Sequence, residues 1–429
     1  MKILIKNGRV IDPANKRDEV CDILVENDKI AQVAKNLKTQ ADDTIDAADK
    51  IVMPGIIDIH VHLREPGRED KETVATGTRA ALKGGVTSVL AMPNTLPAMD
   101  SLDNIRLLKG AIKQSAQANV FLAGAITKGR LGKEVTDIAS FKKEGVVAIS
   151  DDGASVDSDE LMREALRKAK EEGILVICHC EDKSLSGNGV VNRGIISTRM
   201  GLRGISRESE YKRVQRDIEL AERIKAPLHI AHVSCRESVE IIAKAKKEGV
   251  QVSAEVTPHH FSLTEEAVLG FDANMKINPP LRSREDLEAL RQGLKSGVID
   301  VIASDHAPHT ENEKEIEFER AAFGTIGLET ELAASIAELI NTGLLGWLEL
   351  VRKLCLNPAK ILGINKGALG VGCDADIILV SPRKEWIVKK EDFLSKSKNS
   401  AFLGKKLTGV IEYTICRGKI VYKNPDLGS

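Results

Sequence analysis

Ile57-Asp58-Ile59-His60-Val61-His62 reads as a buried β-strand, apolar except at alternate positions. Alternate side chains of a strand share a face, so Asp58, His60 and His62 are expected on one side and Ile57, Ile59 and Val61 on the other. Two imidazoles two residues apart on a rigid strand can reach one metal ion. A pair of core or surface histidines gives the same local pattern, so further ligands at other strand ends must decide between the two.

Working outward, residues 54–364 alternate apolar strand-length runs with longer amphipathic stretches. Eight runs stand out: Gly55–Leu63, Val86–Met92, Val120–Thr127, Val146–Ser150, Ile174–Glu181, Pro227–Ser234, Val250–Thr257 and Val298–Ala307. Apolar runs joined by helices mean parallel strands buried on both faces. Eight βα units at this length predict an α/β fold, a TIM (β/α)8 barrel. An open doubly wound sheet would place a glycine-rich phosphate loop after its first strand; here Arg64-Glu65-Pro66-Gly67 follows. Residues 1–53 and 365–429 have a different texture, with short strand-like runs: Ile3–Lys6, Arg9–Ile11, Cys21–Glu26 and Lys29–Val33, then Ala375–Val380, Glu385–Val388, Val410–Cys416 and Lys419–Tyr422. Asn7-Gly8, Asn27-Asp28 and Arg417-Gly418 read as turns. The two ends are expected to pack together as a small composite β-sandwich domain beside the barrel.

Composition narrows the function classes. The net charge of -1 over 429 residues leaves no electrostatic footprint for nucleic acid or an anionic membrane. No apolar run approaches the ~20 residues of a membrane span, and the N-terminus lacks a signal peptide's apolar segment and cleavage site. The seven cysteines form no C-x-x-C pairs, which fits a reducing cytoplasm. Cys178 and Cys180 flank His179 and are expected to be core thiols.

Catalytic groups of a TIM barrel sit at the C-terminal strand ends. Eight of the nine histidines fall there or just beyond: His60, His62, His179, His232, His259, His260, His306 and His309. Asp151-Asp152 closes the fourth run, and Asp305 lies at the end of the eighth. Imidazoles and carboxylates without thiolate suit Zn²⁺ or another borderline divalent ion, one or two per subunit, and hydrolytic chemistry or its reverse. By strand parity His229 faces away from His232, and His306 away from Asp305, so both are assigned to packing or a hydrogen bond. One of His259 and His260 is expected to line the pocket, and parity does not choose between them. Arg64 follows the His pair by two residues and suits a substrate carboxylate. Asn94 and Asn278 add amide groups at the same mouth, and His309 lies in the loop after the eighth strand.

Taken together, His60-Val61-His62-Leu63-Arg64-Glu65-Pro66-Gly67, Met92-Pro93-Asn94-Thr95, Ser150-Asp151-Asp152-Gly153, His179-Cys180-Glu181-Asp182, Ala231-His232-Val233-Ser234, Asn278-Pro279-Pro280-Leu281-Arg282 and Ser304-Asp305-His306-Ala307-Pro308-His309 resemble the dihydroorotases of the amidohydrolase superfamily. The resemblance implies reversible, zinc-dependent cyclisation of N-carbamoyl-L-aspartate to (S)-dihydroorotate in pyrimidine synthesis. It implies that His60, His62 and Asp305 hold one metal and His179 and His232 a second, with Asp152 bridging. Many superfamily members bridge with a carboxylated lysine, but the fourth run here contains none, so the resemblance is to the subgroup with an aspartate. Asp305 is implied as the general base turned general acid. His62, Arg64, Asn94, Asn278, His309, Phe323 and Gly324 are implied as substrate contacts, with Arg64, Asn94 and His309 on the exocyclic carboxylate and Asn278 on a ring group. The loop from His309 to Gly324 is expected to cover the site. A homo-oligomer, association with aspartate carbamoyltransferase and a cytoplasmic location are further implications. Dihydropyrimidinase/hydantoinase and allantoinase are the competing enzymes. They normally carry the missing lysine, and hydantoinases need no clamp for a free carboxylate. A non-catalytic scaffold for aspartate carbamoyltransferase would be expected to have lost ligands.

Overall fold

The computed structural model describes residues 1–426. Eight parallel strands form the barrel sheet, in chain order Ile56–Val61, Val86–Ala91, Asn119–Gly124, Ala148–Ser150, Leu175–Cys178, Leu228–Ile230, Val252–Val256 and Val301–Ile302. Seven lie within the runs read from the sequence, and the third begins one residue before its run, at Asn119. Strand one meets the segment after strand eight through a parallel bridge between Val61 and His306, where the His62 N–H donates to the His306 carbonyl at 2.9 Å. That contact closes the ring.

The barrel interior is filled by Ile57, Ile59, Leu90, Ala123, Ala148, Ile177, Ala231, Val301 and neighbouring apolar side chains, with Ala359 and Leu362 joining the same cluster. The opposite faces of the strands, including Val61, Val89, Ile149, Val176 and Ile302, pack against the surrounding helices in a separate, larger cluster. Strict alternation therefore fails in the first strand. Its register against the second slips between Asp58 and Val61, where three residues advance against two on the partner. The extra residue is a β-bulge, and it lets Ile59 and His60 both serve the inner side. Asp58 does not share the face of His60 and His62. It turns to strand eight and accepts the Ser304 N–H at 3.2 Å, and burial pushes its carboxyl up to about 6.

The chain ends build one eight-stranded mixed sheet. Its order is Lys419–Lys423, Lys406–Cys416, Ile377–Ile387, Ile51–Pro54, Lys2–Asp12, Arg17–Glu26 and Lys29–Ala34, with Asp43–Asp46 paired to Lys2–Asp12. Ile3, Val10, Ile23, Val25, Leu379 and Ile415 give it an apolar cluster of its own. Asn7-Gly8 is not a turn between two strands. Lys2–Asp12 runs through it with a bulge between Ile5 and Gly8, and Asn7 takes a φ of 62°. At Gly8 a Cβ would lie 2.4 Å from a methyl of Val52, so the close approach of these strands requires glycine there. Likewise Ala375–Val380 and Glu385–Val388 are largely one long strand, Ile377–Ile387, with a register shift inside it. The sequence reading had no strand at Asp43–Asp46 or Ile51–Pro54. All seven cysteines are free, and six of them are buried. No helix among the described residues is long and apolar enough to cross a membrane.

Strand three ends against an aromatic ring. Phe141, 1% exposed, presses on Gly124, where a Cβ would sit 2.6 Å from the ring. Phe141→Ala should therefore cost about 3–5 kcal/mol in denaturant unfolding. A loss below about 1 kcal/mol would mean that the site collapses without a cavity.

Candidate metal and substrate site

Six side chains expected as metal ligands converge at the C-terminal mouth of the barrel. Two groups of three bring their ligand atoms within 4.8 Å of one another: His60, His62 and Asp305, and His60, Asp152 and His232. His60 Nε2 lies 3.2 Å from Asp152 Oδ1 and 3.6 Å from Asp305 Oδ1. His62 Nε2 lies 3.1 Å from Asp305 Oδ1 and 3.4 Å from Asp152 Oδ2. His179 stands at the edge of the second group, with Nδ1 2.9 Å from His232 Nε2 and 3.6 Å from Asp152 Oδ1. Asp152 thus touches four of the imidazoles, and it follows directly on strand four, where no lysine is present.

The polypeptide adopts unfavourable backbone to achieve this. His232 and Asp305 have φ of 30° and 45°, and Arg64 has 63°. Positive φ is rare for residues with a Cβ, and such outliers persist where the surrounding structure holds them in place. The cluster is also electrostatically incomplete. His60 Nε2, Asp152 Oδ1 and His232 Nδ1 are buried without a hydrogen-bond partner. Buried polar atoms are ordinarily satisfied, and His60 Nε2 and Asp152 Oδ1, 3.2 Å apart and both open, are an imidazole and a carboxylate donor that suit a divalent cation. Burial opposes the charge on Asp152, but His60 and hydrogen bonds from His179 and His232 hold its carboxyl well below the usual range.

The ligand side chains are themselves oriented. His60 Nδ1 lies 2.6 Å from Glu255 Oε1, which fixes the tautomer that leaves Nε2 open. Glu255 Oε2 is 3.1 Å from His229 Nε2, and His229 Nδ1 is 2.8 Å from Ser253 Oγ. Burial alone would raise the Glu255 carboxyl, but His60 and His229 bring it down to about 2. Of the two roles expected for His229, the hydrogen bond is the one found, and the ring does not pack against the outer helices. His229 pairs in register with Ser253, and Glu255 pairs with Val301 of the interior cluster, so this polar row lies inside the barrel. Parity from His232 misleads because strand six ends at Ile230 and His232 takes a left-handed turn. His62 Nδ1 is held by the Asn94 carbonyl oxygen at 2.8 Å. His179 Nε2 meets Glu181 Oε2 at 3.1 Å, and the same oxygen accepts from Asn278 Nδ2. Glu255 and Glu181 escaped the sequence reading. A carboxylate in the apolar run Val252-Ser253-Ala254-Glu255-Val256 was the available signal for the first.

Arg64 and His309 form a second centre. The Arg64 Nε donates to the Pro308 carbonyl at 3.1 Å, and its guanidinium lies 3.3 Å from His309 Nε2. Asp305 and Asp152 act on the Arg64 charge, and burial lowers its guanidinium to about 10. Burial, Arg64 and Lys71 hold His309 neutral, down at about 2. Gly324, at φ 133°, closes over this pair, and a Cβ there would lie 2.8 Å from Ala307 Cβ and 3.2 Å from His309. Phe323 packs 4.6 Å from Lys276 Nζ. The other histidines separate cleanly. His306 bonds Glu72 at 3.3 Å, and His260 is engaged by Thr257 and the Pro279 carbonyl. His259 is left with a buried, unpartnered Nε2 and feels the charges of Asp305, His232 and His60. Of the pair that parity could not separate, it is the one whose ring nitrogen has no partner.

Residues 49–238 match the family model described as dihydro-orotase-like. A dihydroorotase of Elusimicrobium minutum is 53% identical over 427 residues, covering 100% of this chain and 99% of that protein. A dihydroorotase of Geotalea daltonii is 49% identical, covering 99% and 100%. Among solved structures, an L-hydantoinase (dihydropyrimidinase) from Arthrobacter aurescens superposes with a TM-score of 0.90 at 28% identity, over 98% of this chain and 96% of that one. The dihydropyrimidinase of Brevibacillus agri gives 0.86 at 25%, over 99% and 95%.

Glu255→Ala removes the carboxylate partner of one nitrogen on each of two buried imidazoles, His60 and His229. Zinc affinity of the metal-free protein should fall by about 10–100-fold in a direct titration, and Glu255→Gln, which keeps an acceptor, should lose less. Unchanged affinity in the alanine variant would show that Glu255 does not orient His60.

Proposed function

The chain belongs to the dihydroorotase family, and from that premise we propose that it interconverts N-carbamoyl-L-aspartate and (S)-dihydroorotate at its barrel mouth, within pyrimidine synthesis and with zinc as the resident ion. The observation that carries the reading is the pairing of Arg64 and His309 beside the cluster of His60, His62, Asp152, His179, His232 and Asp305. A carboxylate clamp beside a hydrolytic metal cluster matches a cyclic amide that bears a free carboxylate. The L-hydantoinase of Arthrobacter aurescens and the dihydropyrimidinase of Brevibacillus agri stand at 28% and 25% identity, against 53% for the dihydroorotase of Elusimicrobium minutum.

His60, His62 and Asp305 would hold one ion, and His179 and His232 a second, with Asp152 shared between them. A divalent ion in that place supplies Lewis acidity and an acidified water near neutral pH. Arg64 grips the substrate carboxylate through paired N–H donors. His309, neutral and fixed against Arg64, contributes to the same grip, while Asn94, Asn278, Phe323 and Gly324 border the remaining substrate surface. In the hydrolytic direction an oxygen–carbon bond forms at the ring carbonyl and the carbon–nitrogen bond breaks. Asp305 takes the proton from the attacking oxygen and returns it to the departing nitrogen. Its carboxylate is ionised and so free to accept first, because His60 and His62 outweigh burial. We further place the domain division at residues 1–53 plus 365–429 for the composite β domain and 54–364 for the barrel, and expect a cytoplasmic homo-oligomer able to associate with aspartate carbamoyltransferase.

The decisive assay compares dihydroorotate, hydantoin and allantoin on one preparation with metal analysis. Dihydroorotate should be the preferred substrate and zinc the bound ion, and preference for hydantoin would overturn the reading. Asp305→Ala should lower kcat by at least about 10²-fold while the unfolding midpoint of the metal-free variant stays near that of metal-free wild type; near-normal turnover excludes the proton-transfer role. Arg64→Ala should raise KM for N-carbamoyl-L-aspartate by roughly tenfold or more with zinc content unchanged. Loss of zinc with unaltered KM would show that Arg64 supports the metal cluster instead.

A further inference from the structure

Two buried lysines outside the metal cluster converge on one loop. Lys276, 2% exposed, donates from Nζ to the carbonyls of Phe318 at 2.9 Å and Glu319 at 2.8 Å. Its Nζ also sits 4.6 Å from the centre of the Phe323 ring and 5.8 Å from that of Phe318. The Lys276 carbonyl accepts the Gly324 N–H at 2.9 Å. Lys314, 6% exposed, donates to the carbonyls of Ala322 at 2.8 Å and Gly324 at 2.9 Å. Five loop residues, Phe318, Glu319, Ala322, Phe323 and Gly324, are therefore held by these two residues.

Their places in the chain give the arrangement a purpose. Lys276 lies two residues before Asn278 in the loop after strand seven. Lys314 ends the short helix Glu311–Lys314, whose Glu313 meets His309 Nδ1 at 3.1 Å. Gly324 lies against His309, and Asn278 binds Glu181 beside His179. Burying an ammonium group is costly and is tolerated only with full hydrogen bonding. A loop needing only to be covered could be packed with apolar side chains at less cost.

We propose that Lys276 and Lys314 are positioning residues for substrate: together they lock Phe318–Gly324 to the loops carrying Asn278 and His309, so that substrate contacts from three separate segments form one rigid wall. The inference rests on the reading of Asn278, His309, Phe323 and Gly324 as substrate contacts. The groups facing the two ammonium ions are Glu319 and Lys314 for Lys276, and Lys276, Asp272 and Glu313 for Lys314. Burial lowers Lys276 to about 8 and Lys314 to about 7. The charged form donates best to carbonyls, so the lock weakens as pH rises through that range.

The test uses zinc-loaded Lys276→Met and, separately, Lys314→Met, with Arg64→Ala as reference. Both methionine variants should raise KM for N-carbamoyl-L-aspartate by roughly tenfold, with kcat and zinc content within about twofold of wild type. Amide exchange in peptides spanning 318–324 should quicken by about tenfold or more. The variant-to-wild-type KM ratio should fall toward unity between about pH 6.5 and about pH 9, because wild type loses the same charges over that span. Faster exchange with unchanged KM, or unchanged exchange in both variants, overturns the proposal. If Arg64→Ala raises KM and the methionine variants do not, the lock alone fails. If no variant, Arg64→Ala included, moves KM, the substrate-site reading beneath it fails.

Discussion

One register slip governs the active end of this barrel. The extra residue between Asp58 and Val61 breaks the alternation of strand one. Without it, a single strand face would carry Asp58, His60 and His62 together, and the carboxylate of Asp58 would be added to an already acidic cluster. With it, Asp58 secures strand eight through the Ser304 N–H, while His60 and His62 turn to the mouth where Asp305 arrives from that same strand. The bulge thus does two tasks at one point, closing the ring and aiming two imidazoles.

From that point the polar groups proceed in ordered contacts. Glu255 fixes His60, His229 fixes Glu255, and Ser253 fixes His229, all within the barrel wall. On the other side Asn94 fixes His62 and Glu181 fixes His179. Each imidazole turned toward the cluster by one nitrogen is restrained through its other nitrogen or its backbone. His232, whose Nδ1 has no partner, is restrained by its backbone N–H on Glu255. Orientation of this kind is what separates a metal site from a collection of histidines.

Much of this was legible in the sequence, for physical reasons that can be named. Buried parallel strands must be apolar on both faces, so the eight runs declared themselves. The polar residues that interrupt those runs at their C-terminal ends, His179 and Asp305 among them, declared the mouth. What failed were inferences that assume an unbroken period. The alternation through Asp58 and His60 and the parity of His229 with His232 both presume an extended chain, and a bulge and a left-handed residue violate it. Asn7-Gly8 is a common hairpin signal, yet positive φ at Asn7 serves a bulge equally well, and only the partner strand distinguishes the two. Lys276 and Lys314 gave no signal, because a lysine buried by the contacts of its own loop looks like any surface lysine in one dimension.

The seam between strands one and eight carries a last consequence. Its backbone link is short, since strand eight spans only Val301–Ile302, and beyond it the ring is held by the Ser304 N–H on Asp58, the His62–His306 bond and the Val61–His306 bridge. On the proposed assignment, His60 and His62 stand on one side of that seam and Asp305 on the other. A cation shared among them would act as a rivet across that joint of the cylinder, and would tie the occupancy of the site to the melting temperature of the whole barrel.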